Sequence, residues 1–238
     1  MRDGELVTCA AMAGRVVQNT RKSTAQASSG IDSRRKTALR EGNAAYKARR
    51  NEIIHVAAHV FRDLGYEAAT LNDVAKELGT DRASLYYYVA SKEELLHEIV
   101  RDVLTHNLEA AEAIRKRRIS VPEKIEALIT EMISSFDANY PHMYVYIEDM
   151  RRVSREDSEW AQDVVRSTKR FETIVMDILD KGRRDGSLKA EIPAELSAFS
   201  LFGMANWTYR WYRPNSKYTP QEIARVFAAI FLSGAAVS

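Results

Sequence analysis

Histidine and carboxylate side chains are the first candidates for chemistry in this sequence, because they can bind a metal or move protons. His55 and His59 stand four residues apart, a spacing that places two imidazoles on one face of a helix. His97 begins a His-Glu pattern typical of zinc peptidases, but Arg101 stands where the second histidine belongs. Glu52 and His55 match one copy of the Glu-x-x-His motif of di-iron bundles, which need two copies. We therefore expect no catalytic residues, no bound metal and no cofactor, and a protein that is not an enzyme.

Recognition by hydrogen bonding is the second kind of chemistry, and it is concentrated in one short polar segment. Residues 82–88 read Arg-Ala-Ser-Leu-Tyr-Tyr-Tyr, with Leu85 as the one aliphatic anchor. Three consecutive tyrosines on a helix point about 100° apart, so they cannot all face a core. Phenol and guanidinium groups suit phosphate oxygens and base edges. The alternative is that the tyrosines fill a core and its edge, as Tyr86 could partly do.

The composition limits the classes of protein that these residues can serve. The chain has 238 residues and is 45% hydrophobic, enough for one large or two modest domains with a buried core. Its one cysteine, Cys9, excludes an intrachain disulfide and a cysteine-built zinc site. The longest apolar stretch, 226–237, is too short to span a bilayer, and residues 2–13 make a poor signal peptide. We expect a cytoplasmic protein that contacts no membrane.

Charge is unevenly distributed, although the formal net charge is only +2. Residues 1–52 hold 11 basic and 5 acidic side chains, whereas the rest of the chain holds 24 basic and 28 acidic ones. Residues 1–45 have no hydrophobic periodicity, so we expect a disordered basic tail there, which could equally be a solvated leader. A basic end on an acidic body indicates that this end binds an anion. The last cations of this basic end are Lys47, Arg49 and Arg50, and they would lie along nucleic-acid phosphates.

From residue 46 onward the spacing of apolar residues is helical, and no segment reads as a strand. Apolar residues recur at three- and four-residue intervals, and Gly, Pro and Ser/Thr capping positions separate the segments. These signals predict an all-α protein of about nine helices. The first predicted helix ends at Gly65, and the last begins after the cap at Thr219. The helices predicted between them cover 71–78, 82–88, 91–118, 120–139, 141–150, 158–181 and 193–212.

Residues 70–90 have the pattern of a helix–turn–helix, with Gly79-Thr80-Asp81 as the turn. The informative positions in and next to this motif are Thr70-Leu71-Asn72-Asp73-Val74-Ala75, Gly79 and the run from Ser84 to Leu95. Through these residues, the segment resembles the N-terminal domain of TetR-family transcriptional regulators. The resemblance is specific over residues 47–100 and looser over the helical remainder.

The family's organisation implies three parts for this chain. They are the disordered basic tail 1–45, a helix–turn–helix DNA-binding domain at 46–95, and a ligand-binding and dimerisation domain at 96–238. Two positions depart from the family's pattern, since Tyr88 stands where His is frequent and Val89 where Phe is frequent. Val89 fills less volume, so a neighbouring side chain must compensate for it.

The resemblance also implies roles for residues of the first domain. Arg82, Ala83 and Ser84 would face the major groove, where Arg82 suits a bidentate contact to guanine. Thr70 would touch a phosphate at the start of its helix, and Lys92 would anchor another. The candidate DNA contacts are Lys47, Arg49, Thr70, Arg82, Ala83, Ser84, Tyr86, Tyr87, Tyr88 and Lys92.

The second domain is rich in aromatic and methionine side chains, which more often form ordinary core than a ligand pocket. Residues 207–214 interleave two arginines with four aromatics, and a buried Arg210 could pair with Glu148 or Asp149. This segment and the capped helix after it resemble the KstR-type branch of the family, regulators of steroid and fatty-acid catabolism, which implies an acyl-CoA inducer. The candidate ligand contacts are Arg151, Arg152, Lys169 and Arg210 at the polar end, and Tyr140, Met143, Tyr144, Phe171, Trp207 and Trp211 at the apolar end.

The resemblance finally implies a homodimer and a mechanism. The last two helices of each chain would form the dimer interface. Its apolar face would comprise Ile223, Val226, Phe227, Ile230 and Phe231, with Gly234 allowing close approach. The dimer would repress transcription at a palindromic double-stranded operator and leave it when the inducer binds. The alternatives are a multidrug-type regulator that responds to amphipathic drugs and a helical ligand-binding protein without specific DNA binding.

Overall fold

The structure is a computed structural model that describes residues 44–235, and its elements are helices, as the sequence predicts. The predicted tail lies outside the described residues, apart from its last two positions. Between residues 44 and 235, no helix combines the length and apolar character needed to cross a bilayer. The helices are α1 (Ala44–Leu64), α2 (Leu71–Glu77), α3 (Arg82–Tyr86), α4 (Lys92–Lys116), α5 (Val121–Ala138), α6 (His142–Val153), α7 (Glu159–Asp185), α8 (Ala194–Trp207) and α9 (Pro220–Ala235), with a 3-10 turn at Thr208–Arg210.

Capping boxes fix the starts of several helices. At α5, the Ser120 hydroxyl accepts a hydrogen bond from the Glu123 amide, and the Glu123 carboxylate accepts one from the Ser120 amide at 2.7 Å. α2 begins with the same reciprocal pair, formed by Thr70 and Asp73. These hydrogen bonds lower the pKa of Glu123 and of Asp73. The serine and threonine positions that predict helix starts in the sequence therefore act as caps here.

Helix α7 extends beyond the end that the sequence predicts at Gly182. A β-carbon at Gly182 would lie 2.7 Å from Leu188 and 2.8 Å from Val121 side-chain atoms, so close packing requires a glycine within the helix. The helix ends just before Gly186, whose φ of +80° suits the left-handed turn there.

Tertiary contacts divide the chain into two units. Within the described range, the first comprises residues 44–99 with 148–161, and the second comprises 100–147 with 162–235. The first unit buries apolar side chains of α1 to α3 and the start of α4, among them Ile53, Val74, Leu85, Leu95 and Leu96. The second is built around α5, whose apolar face is fully buried and on which α9 packs along much of its length.

Candidate nucleic-acid interface and ligand site

Helix α3 turns a polar face to solvent while one side chain anchors it. Leu85 is only 1% exposed, whereas Arg82, Ala83 and Ser84 are exposed. The Asp81 carboxylate caps the helix by accepting hydrogen bonds from the Ser84 amide at 2.8 Å and the Ser84 hydroxyl at 2.7 Å. The three side chains that the sequence assigns to base reading therefore project from one short, well-anchored helix.

The tyrosines that follow do not share one role. α3 ends at Tyr86, two residues before the predicted end, so Tyr87 and Tyr88 lie in the turn after it. Tyr88 is half-buried and stacks on Tyr46 with ring centroids 5.0 Å apart. Tyr87 meets both rings edge-on and is 38% exposed. Tyr87 is thus the more accessible of the two, and the Tyr46 contact is one that sequence reasoning missed.

A cleft of about 500 Å³ opens beside α3. It is lined by the starts of α2 and α4 and by the α3 side chains Arg82 and Tyr86. Arg82 donates a 2.7 Å hydrogen bond to the Tyr86 hydroxyl, which holds the guanidinium at the rim of the cleft. Helix N-termini carry partial positive charge, so the cleft suits an anionic group such as a phosphate.

Thr70 and Lys92 line this cleft but are engaged in other bonds. The Lys92 ammonium donates to the backbone carbonyls of Tyr66, Glu67 and Ala69, at 2.6, 3.2 and 2.9 Å. The Thr70 amide and hydroxyl both donate to the Asp73 carboxylate. Their phosphate contacts stay predictions, and each would require a donor to exchange its acceptor within the protein for a phosphate oxygen.

The cations that lead into α1 also separate into different roles. Lys47 is exposed, and Arg49 pairs with Glu52 at 2.7 Å. Arg50 is buried and pairs with Glu94 and Glu98 of α4, each at 3.0 Å. The prediction that Arg50 lies along phosphates is therefore wrong, since its charge is neutralised inside the first unit. No local pattern reveals this pairing, because its partners lie more than forty residues away.

The apolar ligand candidates fall into two groups in the second unit. Met143 is buried, Tyr140 and Tyr144 are half-buried, and Phe171 packs near Phe202 with ring centroids 6.0 Å apart. In contrast, Trp207 is 59% exposed and Trp211 is 45% exposed. The two tryptophans therefore differ from the other apolar candidates in being largely exposed to solvent.

The four polar ligand candidates are divided between the two units. Arg152 lies in the first unit, where its guanidinium sits 4.2 Å from the Tyr66 ring centroid and pairs with Asp149 and Glu156. Arg151 and Lys169 are exposed, and Arg210 lies over the ring of Trp207 at 5.0 Å. The role of Arg152 as a ligand contact stays a prediction, and its guanidinium already has partners within the first unit.

Polar side chains that sequence reasoning missed lie next to Met143. The Ser135 hydroxyl donates to Asn107 and accepts from Asn139, both at 2.9 Å, and Ser135 is buried. The Asn107 amide also points at the Met143 sulfur, 4.0 Å away. The available sequence signal is Ser135 on the apolar face of α5, followed four residues later by Asn139 at the end of that helix. Buried hydrogen-bonding groups beside apolar ones are typical of ligand sites.

A second cleft, of about 410 Å³, gathers cations at the ends of three helices of the second unit. Arg115 comes from the end of α4, Lys124 from the start of α5, and Lys181 and Arg184 from the end of α7. Asp177 and Ile178 complete the lining. Burial and the nearby charges of Lys181 and Arg115 lower the pKa of Lys124. The cleft therefore gathers four cations, of which Arg115 pairs with Glu112 and Arg184 with Asp180. Its residues were absent from the predicted site.

The predicted dimer face of α9 is split between two sides of the helix. Ile223 and Phe231 are buried in the core and Phe227 is half-buried, so the prediction that all five side chains form one dimer face is wrong. Val226 and Ile230 are 54% and 59% exposed, and Gly234 is exposed. The apolar stripe is wide enough for one half to pack on α5 while the other remains at the surface.

Two protein-family models match this chain. The model described as "Bacterial regulatory proteins, tetR family" matches residues 53–99, and "Tetracyclin repressor-like, C-terminal domain" matches residues 118–235. Among curated proteins, the chain is 29% identical over 189 residues to the HTH-type transcriptional repressor KstR2 of Rhodococcus jostii. That match covers 79% of this chain and 91% of the relative.

Solved structures share the fold. The ketosteroid transcriptional regulator KstR2 of Mycobacterium tuberculosis matches with a TM-score of 0.76 and 24% identity, over 80% of this chain and 96% of that one. AibR, solved in complex with isovaleryl coenzyme A and operator DNA, matches with a TM-score of 0.65 and 20% identity, over 76% of this chain and 97% of AibR.

Proposed function

The chain belongs to the TetR family of bacterial transcriptional regulators, and from this premise we propose that it is a repressor whose release from DNA is controlled by a small ligand. The observation that carries the DNA-binding half is the exposed face of α3, where Arg82, Ala83 and Ser84 project beside a cleft at two helix starts. A helix of this kind reads base edges in the major groove while helix N-termini hold phosphates. Arg82 is the residue suited to a bidentate guanine contact.

The protein binds DNA as a homodimer in this proposal. Exposed apolar side chains on α8 and α9 support it, namely Leu196, Trp207, Val226 and Ile230. Exposed apolar side chains on neighbouring helices are typical of a protein interface, and a two-fold pair of such helices would bury them. Two reading helices related by that symmetry would fit a palindromic operator.

The inducer we propose is an acyl-CoA thioester from lipid or steroid catabolism. The relationship to KstR2 supports the steroid class, and AibR has the same fold with an acyl-CoA bound. The acyl or ring portion of the inducer would lie against Met143 and Phe171. The hydrogen-bonded side chains of Asn107 and Ser135 would contact the oxygen atoms of that portion.

The phosphates of coenzyme A would bind in the second cleft, which gathers four cations. Arg115 and Lys181 lie about 12 and 15 Å along α4 and α7 from Asn107 and Phe171, respectively, as judged by the rise per residue of a helix. An extended thioester arm can span that separation. This placement replaces Arg151, Arg152, Lys169 and Arg210, which the sequence suggests for the polar end.

A thermal-shift experiment tests the inducer. At a ligand concentration 100-fold above Kd, binding stabilises the native state by about 2.7 kcal/mol. Steroid-derived and fatty acyl-CoA thioesters should raise Tm, whereas the corresponding acids should raise it less. Lys181→Glu should remove most of the shift, while Lys169→Glu, on the exposed face of the same helix, should keep it. If drug-like amphiphiles raise Tm and the thioesters do not, a multidrug-type regulator is favoured instead.

A further inference from the structure

Three potential metal ligands come together in the first unit, and none of them lines the cleft beside α3. Glu93 and His97 lie one turn apart on α4, and Glu156 lies in the segment between α6 and α7. One ligand atom from each of these residues lies within 4.8 Å of the other two. The sequence hides this cluster, because Glu156 is distant in the chain and neither glutamate belongs to a known metal motif.

The imidazole of His97 is held in place by an aromatic contact, and its Nε2 has no hydrogen bond to any described residue. Its ring stacks on Trp160 with centroids 3.7 Å apart and planes 17° apart. Nε2 is buried and has no hydrogen-bond partner among the described residues, and the nearest carboxylate oxygen, of Glu93, lies 3.7 Å away. A buried polar atom of this kind needs a water or an ion beside it.

The chemistry of the three groups suits a borderline divalent ion. One imidazole nitrogen and two carboxylate oxygens form a ligand set that Zn²⁺ accepts, at about 2.0–2.2 Å from each atom. An imidazole binds a metal through the lone pair of its neutral form, and the buried Nε2 of His97 is the atom without a hydrogen-bond partner in the described part of the chain. The Glu93 side chain is 62% exposed, which lets an ion enter and lets this ligand swing inward.

Arg152 sets the limit on affinity. Its guanidinium pairs with Glu156, so an ion has to share that carboxylate with a neighbouring positive charge. Arg152 keeps other partners, since Asp149 lies 3.5 Å and Glu67 3.8 Å from its Nε. The site should therefore bind an exchangeable ion rather than a permanent structural one.

We propose that Glu93, His97 and Glu156 form a divalent transition-metal site that fastens the segment between α6 and α7 to the beginning of α4. An ion bound there would join residues about sixty positions apart within the first unit. The site stands independently of the DNA-binding and inducer proposals, because none of its ligands belongs to either.

Isothermal titration of the full chain with Zn²⁺ tests the site after removal of metal with a chelator. The reference protein should carry His55→Gln and His59→Gln, because the Nε2 atoms of these histidines lie 3.2 Å apart and could chelate zinc as a pair. We expect one ion per chain. In that background, His97→Phe keeps an aromatic ring on Trp160 but removes the ligand, and Glu156→Gln removes a carboxylate. Each substitution should weaken zinc affinity by at least about tenfold to a hundredfold, because even a change to a residue behind the ligands typically costs that much.

His106→Phe is the matched control, since this histidine pairs with Glu131 at 3.0 Å in the second unit. It should leave zinc affinity unchanged. Hydrogen exchange of residues 148–161 gives a second readout, which zinc should slow in the reference protein and leave unchanged in Glu93→Gln, an exposed and structurally mild variant. The absence of zinc binding, or equal zinc binding by the reference protein and both ligand variants, would overturn the proposal and assign the space beside Nε2 to water.

Discussion

The two units expose different kinds of side chain on the faces proposed for binding. In the first, Arg82, Ser84 and Tyr87 offer guanidinium, hydroxyl and phenol groups beside a cleft at helix starts. In the second, Val226 and Ile230 present bare aliphatic surface on α9. A polyanion satisfies the first kind of surface, whereas only another apolar surface gains from covering the second. The difference indicates DNA for one unit and a second copy of the chain for the other.

The largest expected effect comes from charging the apolar surface of α9. Ile230→Glu would bury an unpaired carboxylate at the proposed interface, which costs about 3–5 kcal/mol for a charge left without a partner. We expect dimers to dissociate to monomers at micromolar concentration, as measured by analytical ultracentrifugation. DNA affinity should fall with the dimer, because each monomer reaches only one half-site.

The neighbouring residue provides the control for this experiment. Phe231→Ala removes a side chain that is 8% exposed, and we expect unfolding free energy to drop by about 3–5 kcal/mol, as for other buried phenylalanines. Urea unfolding of protein in the monomeric Ile230→Glu background measures this loss directly. If Ile230→Glu leaves the protein dimeric, the exposed half of α9 does not form the interface.

The next effect separates the two cations at the cleft of the first unit. Arg82→Ala should cost about 1–3 kcal/mol in binding to the preferred DNA sequence and less on unrelated DNA, because a bidentate base contact is lost. Lys92→Met should instead lower thermal stability, since three backbone carbonyls lose a charged donor worth about 1.5–3 kcal/mol.

Fluorescence anisotropy with specific and scrambled duplexes, together with thermal melts, distinguishes the two roles. Uniform loss of affinity for all DNA by Lys92→Met, with an unchanged Tm, would restore the phosphate contact that the sequence suggests. An Arg82→Ala protein with unchanged sequence preference would remove Arg82 from base reading.

The smallest effect concerns the cap that begins α5 in the second unit. Ser120→Ala should lower stability by about 1 kcal/mol, as typical for loss of a helix cap. The Ser120 hydrogen bonds lower the pKa of Glu123, so their stabilisation is present above the ordinary glutamate pKa and is lost as pH falls through the lowered value. Urea unfolding from pH 7 to pH 3 should therefore give a shallower acid loss for Ser120→Ala than for the parent. Identical slopes would remove this carboxylate from the acid response.

The first unit is also the one whose sequence predicts more of its site. The cap at Thr70, the turn at Gly79 and the exposure of Arg82 follow from neighbouring residues, so a local pattern suffices. The partners of Arg50 and Lys92 could not be predicted, because each lies on a segment more than twenty residues away.

Less of the candidate site in the second unit can be predicted from the sequence. Its apolar stripes predict helices, but the side of α9 that faces α5 depends on tertiary packing, as the split between Ile230 and Phe231 illustrates. The basic cleft likewise draws Arg115, Lys124 and Lys181 from three helices. Ligand residues that come together only through packing of several helices carry no signal in any one segment.

Selection of DNA from a random duplex pool tests the central claim most directly, with the enriched sequence then titrated in the presence of acyl-CoA thioesters. The account predicts a palindrome whose half-sites lie about one helical turn apart, bound with steep salt dependence and released by a thioester. The Arg82→Ala protein should enrich it poorly. A pool that remains random, with binding indifferent to sequence and to thioester, would contradict the account.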